Sequence, residues 1–520
     1  MLRRTLPLLV GTVLLVAQAS GAWAQEAPPP TMTDPQLGVR TVTEGLTSPS
    51  GVAFLGPNDM LVTERETGQV KRVVDGQVTA TVLDLAVNFA SERGLLSIAL
   101  DPDFPEDPGV YLFWSCRTPA PPADMFTPEL RTCDESAMLG EDTEDDLSVP
   151  LLGNRVDRFE WNPETETLDF DRNLISVRSF QSDGGPVPAG QGDEGQGPAG
   201  NHDGGVIRFG RDGKLYVILG DTGRRGLLQN LPCGPVLDCP ENFLEDDQFG
   251  GPEPDDAHLT GAILRLDEDG EAPRSNPFYR IGARLGDEAG DNIQKLFAIG
   301  IRNSFGMAFD PKTGDLWQQE NSDDAFDEIN RVTPGMNSGW IQIMGPDERI
   351  AQFREIETTL ADPPDPPDLQ QLRWPPTNIA TSLREARERL RLGLRGSRFS
   401  DPEFSWKYAV PPAAIGFVDG DGLGAEFDGD LFVGAATPAT EGGHLFRFEL
   451  TRNRRGFEFS DPRLADRVAD NAEKDDITES ESLLVGRNFG ITTDIQTAPN
   501  GNLYVVSTLN GAIYEIFRQQ

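Results

Sequence analysis

GNHDGGVIRFGRDGKLYVILGDTGRR, residues 200–225, holds His202, one of only three histidines in 520 residues. Gly204-Gly205 lead into the β-rich run Val206-Ile207-Arg208-Phe209. Gly210 to Gly213 makes a tight turn, and Leu215-Tyr216-Val217-Ile218 forms a second strand that ends at Gly220-Asp221. A hairpin brings its outer ends together, so the His202 imidazole and the Asp221 carboxylate come to lie at one sheet edge. A general base needs such a carboxylate, which fixes the tautomer of the histidine and stabilises its imidazolium. The plainer reading of the same spacing is a loop histidine beside an aspartate that caps a turn.

The same turn-then-strand element recurs outward from this hairpin. It stands at Asn58-Asp59-Met60-Leu61-Val62, at Asp101-Pro102-Asp103 before Val110-Tyr111-Leu112-Phe113, and at Asp212-Gly213-Lys214-Leu215-Tyr216-Val217. Further copies are Thr313-Gly314-Asp315-Leu316-Trp317, Asp428-Gly429-Asp430-Leu431-Phe432-Val433 and Asn500-Gly501-Asn502-Leu503-Tyr504-Val505. A second strand follows each copy: Val70–Val73, Arg155–Phe159, Ile263–Leu266, Ile329–Val332, Leu445–Phe448 and Ala512–Ile516. Six couplets spread over residues 39–520 predict an all-β, six-bladed β-propeller with long inserted loops. A sandwich or a pair of unrelated β domains does not require one couplet six times. The insertions fall at about 118–149, rich in Pro, Asp and Glu, and at about 351–400. The second contains the one strongly helical segment, Ser382 to Leu392, which predicts one short inserted helix.

The chain opens with Arg3-Arg4, an apolar run from Leu6 to Val16, and Ala22-Trp23-Ala24. These features predict a secretory signal peptide, residues 1–24, and hence a periplasmic or secreted protein without a membrane span. Residues 25–38 read as a flexible, proline-rich lead-in. Cys116, Cys133, Cys233 and Cys239 suit two disulfides in an oxidising compartment, with Cys116–Cys133 and Cys233–Cys239 the simplest of three connectivities. A formal net charge of −40 argues against nucleic acid and anionic membrane surfaces as partners. Val418-Asp419-Gly420-Asp421-Gly422 lacks the spaced ligands of a calcium loop and reads as a turn. His258 and His444 have no carboxylate at a telling spacing.

Gly94-Leu95-Leu96 with Asp101-Pro102-Asp103-Phe104, Asn201-His202-Asp203-Gly204-Gly205, Gly220-Asp221 and Gly261 to Leu266 together resemble the soluble quinoprotein sugar dehydrogenases, the glucose/sorbosone dehydrogenase family. Gly300 to Asp310, Asp327-Glu328-Ile329-Asn330 and Asn337-Ser338-Gly339-Trp340 extend the resemblance, which runs from about Val42 to Ile516. It implies a propeller that oxidises the hydroxyl of an aldose or related polyol with pyrroloquinoline quinone and calcium, the electron acceptor being unspecified. The resemblance makes His202 the catalytic base, Asp221 the carboxylate that orients it, and Arg302 with Asn303 the pair that contacts the quinone. Asn321 and Thr493 match further cofactor contacts, and Glu92, Asn201 and Trp406 match substrate contacts. Glu328 and the Ser338 carbonyl match a structural calcium site, and Ser322 and Asp323 stand in the family's cofactor–calcium loop.

The chain departs from that pattern where the quinone's three carboxylates need cations. Ile491-Thr492-Thr493-Asp494 replaces an R-x-R-D run, Ala436-Thr437-Pro438-Ala439 replaces a lysine, and Glu92 replaces a glutamine. Arg224, Lys407 and Arg487 are candidates to compensate. Two other readings therefore stand beside the dehydrogenase. One is a calcium-dependent hydrolase or lactonase that uses His202 and Asp221 on water. The other is a propeller without chemistry that binds carbohydrate or a partner.

Overall fold

The computed structural model describes residues 28–89, 91–116, 153–177, 179, 202–222, 259–286, 288–359, 380–390, 394–436 and 442–519. The stretch expected as a signal peptide and the first insertion lie outside these residues, as do the partners of the expected cysteine pairings; Cys116 is the one cysteine described and is disulfide-bonded.

Each sequence couplet forms the middle antiparallel pair of its own sheet. The pairs are Asp59–Glu64 with Gln69–Val74 and Gly109–Ser115 with Asn154–Asn162. They continue with Leu215–Leu219 and Ala262–Leu266, then Leu316–Glu320 and Ala325–Val332. Leu431–Ala435 with His444–Leu450 and Leu503–Ser507 with Ala512–Arg518 complete the set. The described strands fall into six sheets of four to six strands. Central strands such as Leu215–Leu219 are buried on both faces and read as unbroken apolar runs, because neighbouring sheets cover both sides of them.

One strand per sheet lies innermost: Pro49–Gly56, Leu95–Leu100, Val206–Phe209, Met307–Phe309, Pro412–Phe417 and Thr492–Thr497. Each touches the next, and the last touches the first, so the inner strands close a ring. The fold is an all-β propeller, mostly sheet with few helices. Arg208 of the third sheet donates to Asp494 of the sixth at 2.5 Å, and Asp494 also accepts from the backbone of Val52 in the first. This partly buried ion pair joins opposite sides of the ring.

The closing sheet is built from both chain ends. Leu37–Glu44 pairs with Ala512–Arg518, and Thr31–Met32 pairs with Arg487 and Gly486. Part of the stretch expected as a flexible lead-in is therefore strand. The expected helix is present as Leu383–Leu390, but Tyr279–Leu285, Glu288–Lys295 and Ile350–Thr359 are helical as well. Among the described residues no helix is long and apolar enough to cross a membrane.

Candidate active site

The hairpin of residues 202–221 places its ends as its turn chemistry predicts. His202 Nδ1 lies 2.6 Å from Asp221 Oδ1, and both side chains are buried. The second carboxylate oxygen of Asp221 accepts from Trp340 Nε1 at 2.8 Å. A carboxylate only accepts, so a proton on Nδ1 makes this bond and leaves Nε2 as the acceptor nitrogen of the neutral ring. His202 adopts φ 59°, a conformation uncommon for a side-chain-bearing residue, and its N–H is held by Glu92 Oε2 at 2.7 Å. Glu92 Oε2 also accepts from Asn303 Nδ2 at 3.1 Å, which ties the His202 backbone to the Arg302–Asn303 segment. Gly220 is required here. A Cβ at that position meets the carbonyl oxygens of His202 at 2.3 Å and Arg302 at 2.7 Å.

Arg302 stacks 5.5 Å from the centre of the Trp340 ring. Its Nη1 donates to the carbonyls of Asn321 and Ser322 at 3.0 and 2.8 Å, and its Nη2 pairs with Asp323. Trp340 thus touches both the orienting carboxylate and the arginine, a role the sequence comparison did not assign to it. Behind Arg302, Glu320 accepts its backbone N–H. Burial lifts Glu320 to about 7 despite donors from Ser338, Arg302 and Gln318. Glu328, which lies opposite Glu320 across the strand pair, is raised well above the ordinary range by burial and by the Glu320 charge. Gln318 Oε1 and Asn330 Oδ1 are buried beside them without a hydrogen-bond partner. Two crowded carboxylates and two unsatisfied amide oxygens make a set of hard oxygen donors that suits calcium. Ser322 and Asp323 are engaged elsewhere, with Asp327 and Arg302 respectively.

A cavity of about 440 Å³ opens at one end of the ring, lined by Ser50, Leu96, Val206, Phe305, Ala413 and Thr493 among others. These residues stand at or just before the starts of the inner strands, so every sheet contributes. Glu92 and Asn321 also line it, and Asn321 Oδ1 is buried without a partner. Arg65 is the one cation among the described lining residues; its guanidinium serves the carbonyls of Phe89, Ser91 and Arg93 and the Glu66 carboxylate. Arg487 is exposed beside His444, and Lys407 lies over Tyr408; neither lines the cavity. Asn201 and Arg224 lie outside the described residues. Trp406 does not line the cavity. It is fully buried among Phe404, Phe446 and Phe448, because its strand turns alternate residues into the core between sheets.

The glucose/sorbosone dehydrogenase family model matches residues 46–130 and 193–360. Over those residues the chain resembles the glucose/sorbosone dehydrogenase family. The matched residues contain Glu92, His202, Asp221, Arg302 and Trp340, so the described constellation sits within the family region. Quinoprotein glucose dehydrogenase B of Acinetobacter calcoaceticus is 24% identical over 59% of this chain and 52% of its own length. The chain spans 52, 59 and 66% of the length of three such curated relatives. In fold it resembles the soluble aldose sugar dehydrogenase of Escherichia coli, with TM-score 0.56 and 20% identity, over 93% of this chain and 100% of that one. The PQQ-bound aldose sugar dehydrogenase of Streptomyces coelicolor gives TM-score 0.51 and 20% identity, over 93% and 98%.

Proposed function

We propose that this protein is a periplasmic or secreted dehydrogenase that oxidises a hydroxyl of an aldose or related polyol, using pyrroloquinoline quinone and calcium. The single observation that carries the reading is the Trp340–Asp221–His202 chain. It presents one unprotonated imidazole nitrogen from a buried, fixed ring, and it lies within the region matched to a family of sugar dehydrogenases. Each of the six sheets is taken as one blade.

The lining suits the quinone in hydrogen bonding. Asn321 has an unpartnered buried oxygen, Thr493 lines the wall, and Arg302 and Asn303 stand beside His202. Charge is in shorter supply, since Arg65 is already committed, and this predicts weaker binding than a lining with free cations would provide. Bound there, the quinone supplies the hydride acceptor. His202 Nε2 takes the hydroxyl proton, Asp221 stabilises the resulting imidazolium, and Trp340 keeps Asp221 from turning away. Arg302 contributes positive charge close to the reacting centre. Glu328, with Glu320 and the oxygens of Gln318, Asn330 and Ser338, would hold calcium behind Arg302 and relieve the repulsion between the two carboxylates.

The test is reconstitution. Apo-protein given quinone and calcium should reduce an acceptor dye when an aldose is added. His202→Ala should abolish turnover while quinone binding persists. Absence of both a spectral change and dye reduction across a broad sugar panel would refute the proposal and leave a hydrolase or a binding propeller.

A further inference from the structure

The inserted helix Ile350–Thr359 sends one buried carboxyl into the region behind the site. Glu357 Oε1 accepts from the backbone N–H groups of Asp324 and Ala325, each at 2.9 Å. These amides end the turn whose first carbonyls, Asn321 and Ser322, receive Arg302 Nη1. The turn is held at other points too: Ser322 donates to Asp327 and Asn321 Nδ2 donates to Pro412 O. The Glu357 contact comes from an inserted helix, an element that a propeller sheet does not need.

We propose that Glu357 is a positioning residue for this site, setting the Asn321–Ala325 turn and through it the Arg302 guanidinium that stacks on Trp340 beside Asp221 and His202. The inference rests on the dehydrogenase reading only for its functional meaning; the structural coupling stands without it. Burial, with the nearby Asp324 charge, pushes the Glu357 carboxyl up to about 8, so at neutral pH it acts as an uncharged acceptor. The other charged groups around it are Arg302 and Lys474, the latter paired with Asp324. An uncharged acceptor is what a glutamine also provides, whereas aspartate withdraws its oxygen by one methylene. The helix also packs Phe353 and Ile356 against Ala325, Phe326 and Trp340, so loss of packing has to be separated from loss of the two hydrogen bonds.

The experiment uses the full chain without added quinone, so it does not depend on turnover. With three histidines, the ring resonances of His202 are assignable by the His202→Ala variant. Glu357→Asp and Glu357→Ala should shift the His202 ring resonances. They should also speed hydrogen exchange of the Asp324 and Ala325 amides by about tenfold or more. Glu357→Gln should match wild type on both readouts, and Ile356→Val, the packing control, should leave the His202 resonances in place. If Glu357→Ala fails to fold, Glu357→Asp decides. A folded Glu357→Asp with both readouts unchanged overturns the proposal. So does a Glu357→Gln that behaves like Glu357→Asp, or an Ile356→Val that moves His202 as far.

Discussion

Asp221→Asn is the most informative single change in the site. The side chain keeps its shape but exchanges one acceptor for an amide donor, and Trp340 decides which way that amide faces. If the Asn oxygen keeps the 2.8 Å bond from Trp340 Nε1, its NH2 points at His202 Nδ1 and the imidazole proton moves to Nε2. The nitrogen meant for substrate is then already protonated, and base catalysis is lost. If the amide flips instead, its NH2 faces the Trp340 N–H in a fully buried pocket, and an unsatisfied buried donor costs about 1–3 kcal/mol. That penalty holds the wrong tautomer in excess by roughly 5- to 150-fold. The competent tautomer is depleted by that factor, so kcat should fall by roughly 5- to 150-fold, short of the roughly 10²–10⁴ that complete removal of a general base costs, while quinone binding, followed by its absorbance, stays within a few-fold. In the double variant Asp221→Asn/Trp340→Phe the amide is free to flip, and it should regain part of the lost rate. A single variant with near wild-type kcat would show that His202 is not the base, or that Trp340 does not fix the carboxylate.

The remaining predictions concern the metal and pH. Chelator should lower the melting temperature, and Glu328→Ala should abolish that sensitivity; an unchanged melting curve in chelator would remove the calcium assignment. Glu403 accepts from the Arg331 backbone at 2.6 Å, and burial raises its carboxyl from 4.5 to about 7. A raised acid binds its proton more tightly when folded, so its contribution to stability is complete below about pH 4.5 and is lost as pH rises through about 7. Glu403→Gln should flatten the denaturant midpoint between those pH values, and an equally sloped profile would exclude Glu403 as the cause.

Legibility from sequence followed the range of the interactions. The six couplets are short-range patterns of turn and alternation, and each became the centre of one sheet. His202 and Asp221 were readable because a hairpin of known length joins them. Trp340 is 119 residues from Asp221, and only the closed ring brings its indole to that carboxylate. Glu320 and Glu357 carry no local signature either, since their meaning comes from burial and from backbone groups on other elements. Trp406 lies in the core for a reason the sequence does show: its alternation with Phe404 marks the core-facing side of a strand. The helix Ile350–Thr359 has apolar residues at Ile350, Phe353 and Ile356, the spacing of one helical face, but the proline pairs that follow masked it.

The closing sheet has a consequence for how the molecule is made. Arg40 meets Glu515, its partner in the last sheet, across 475 positions of chain. A strand formed early must therefore wait, with one edge exposed, until residues 512–518 have been synthesised. Loop-closure entropy grows only slowly with length, about 0.6 kcal/mol per doubling, so the delay costs little in final stability. Its weight falls on kinetics: the final pairing is the most non-local contact of a fold already rich in them, and non-local pairing is slow. The ring completes last at the seam between its two ends, and a chain cut short before residue 512 has no partner for its first long strand.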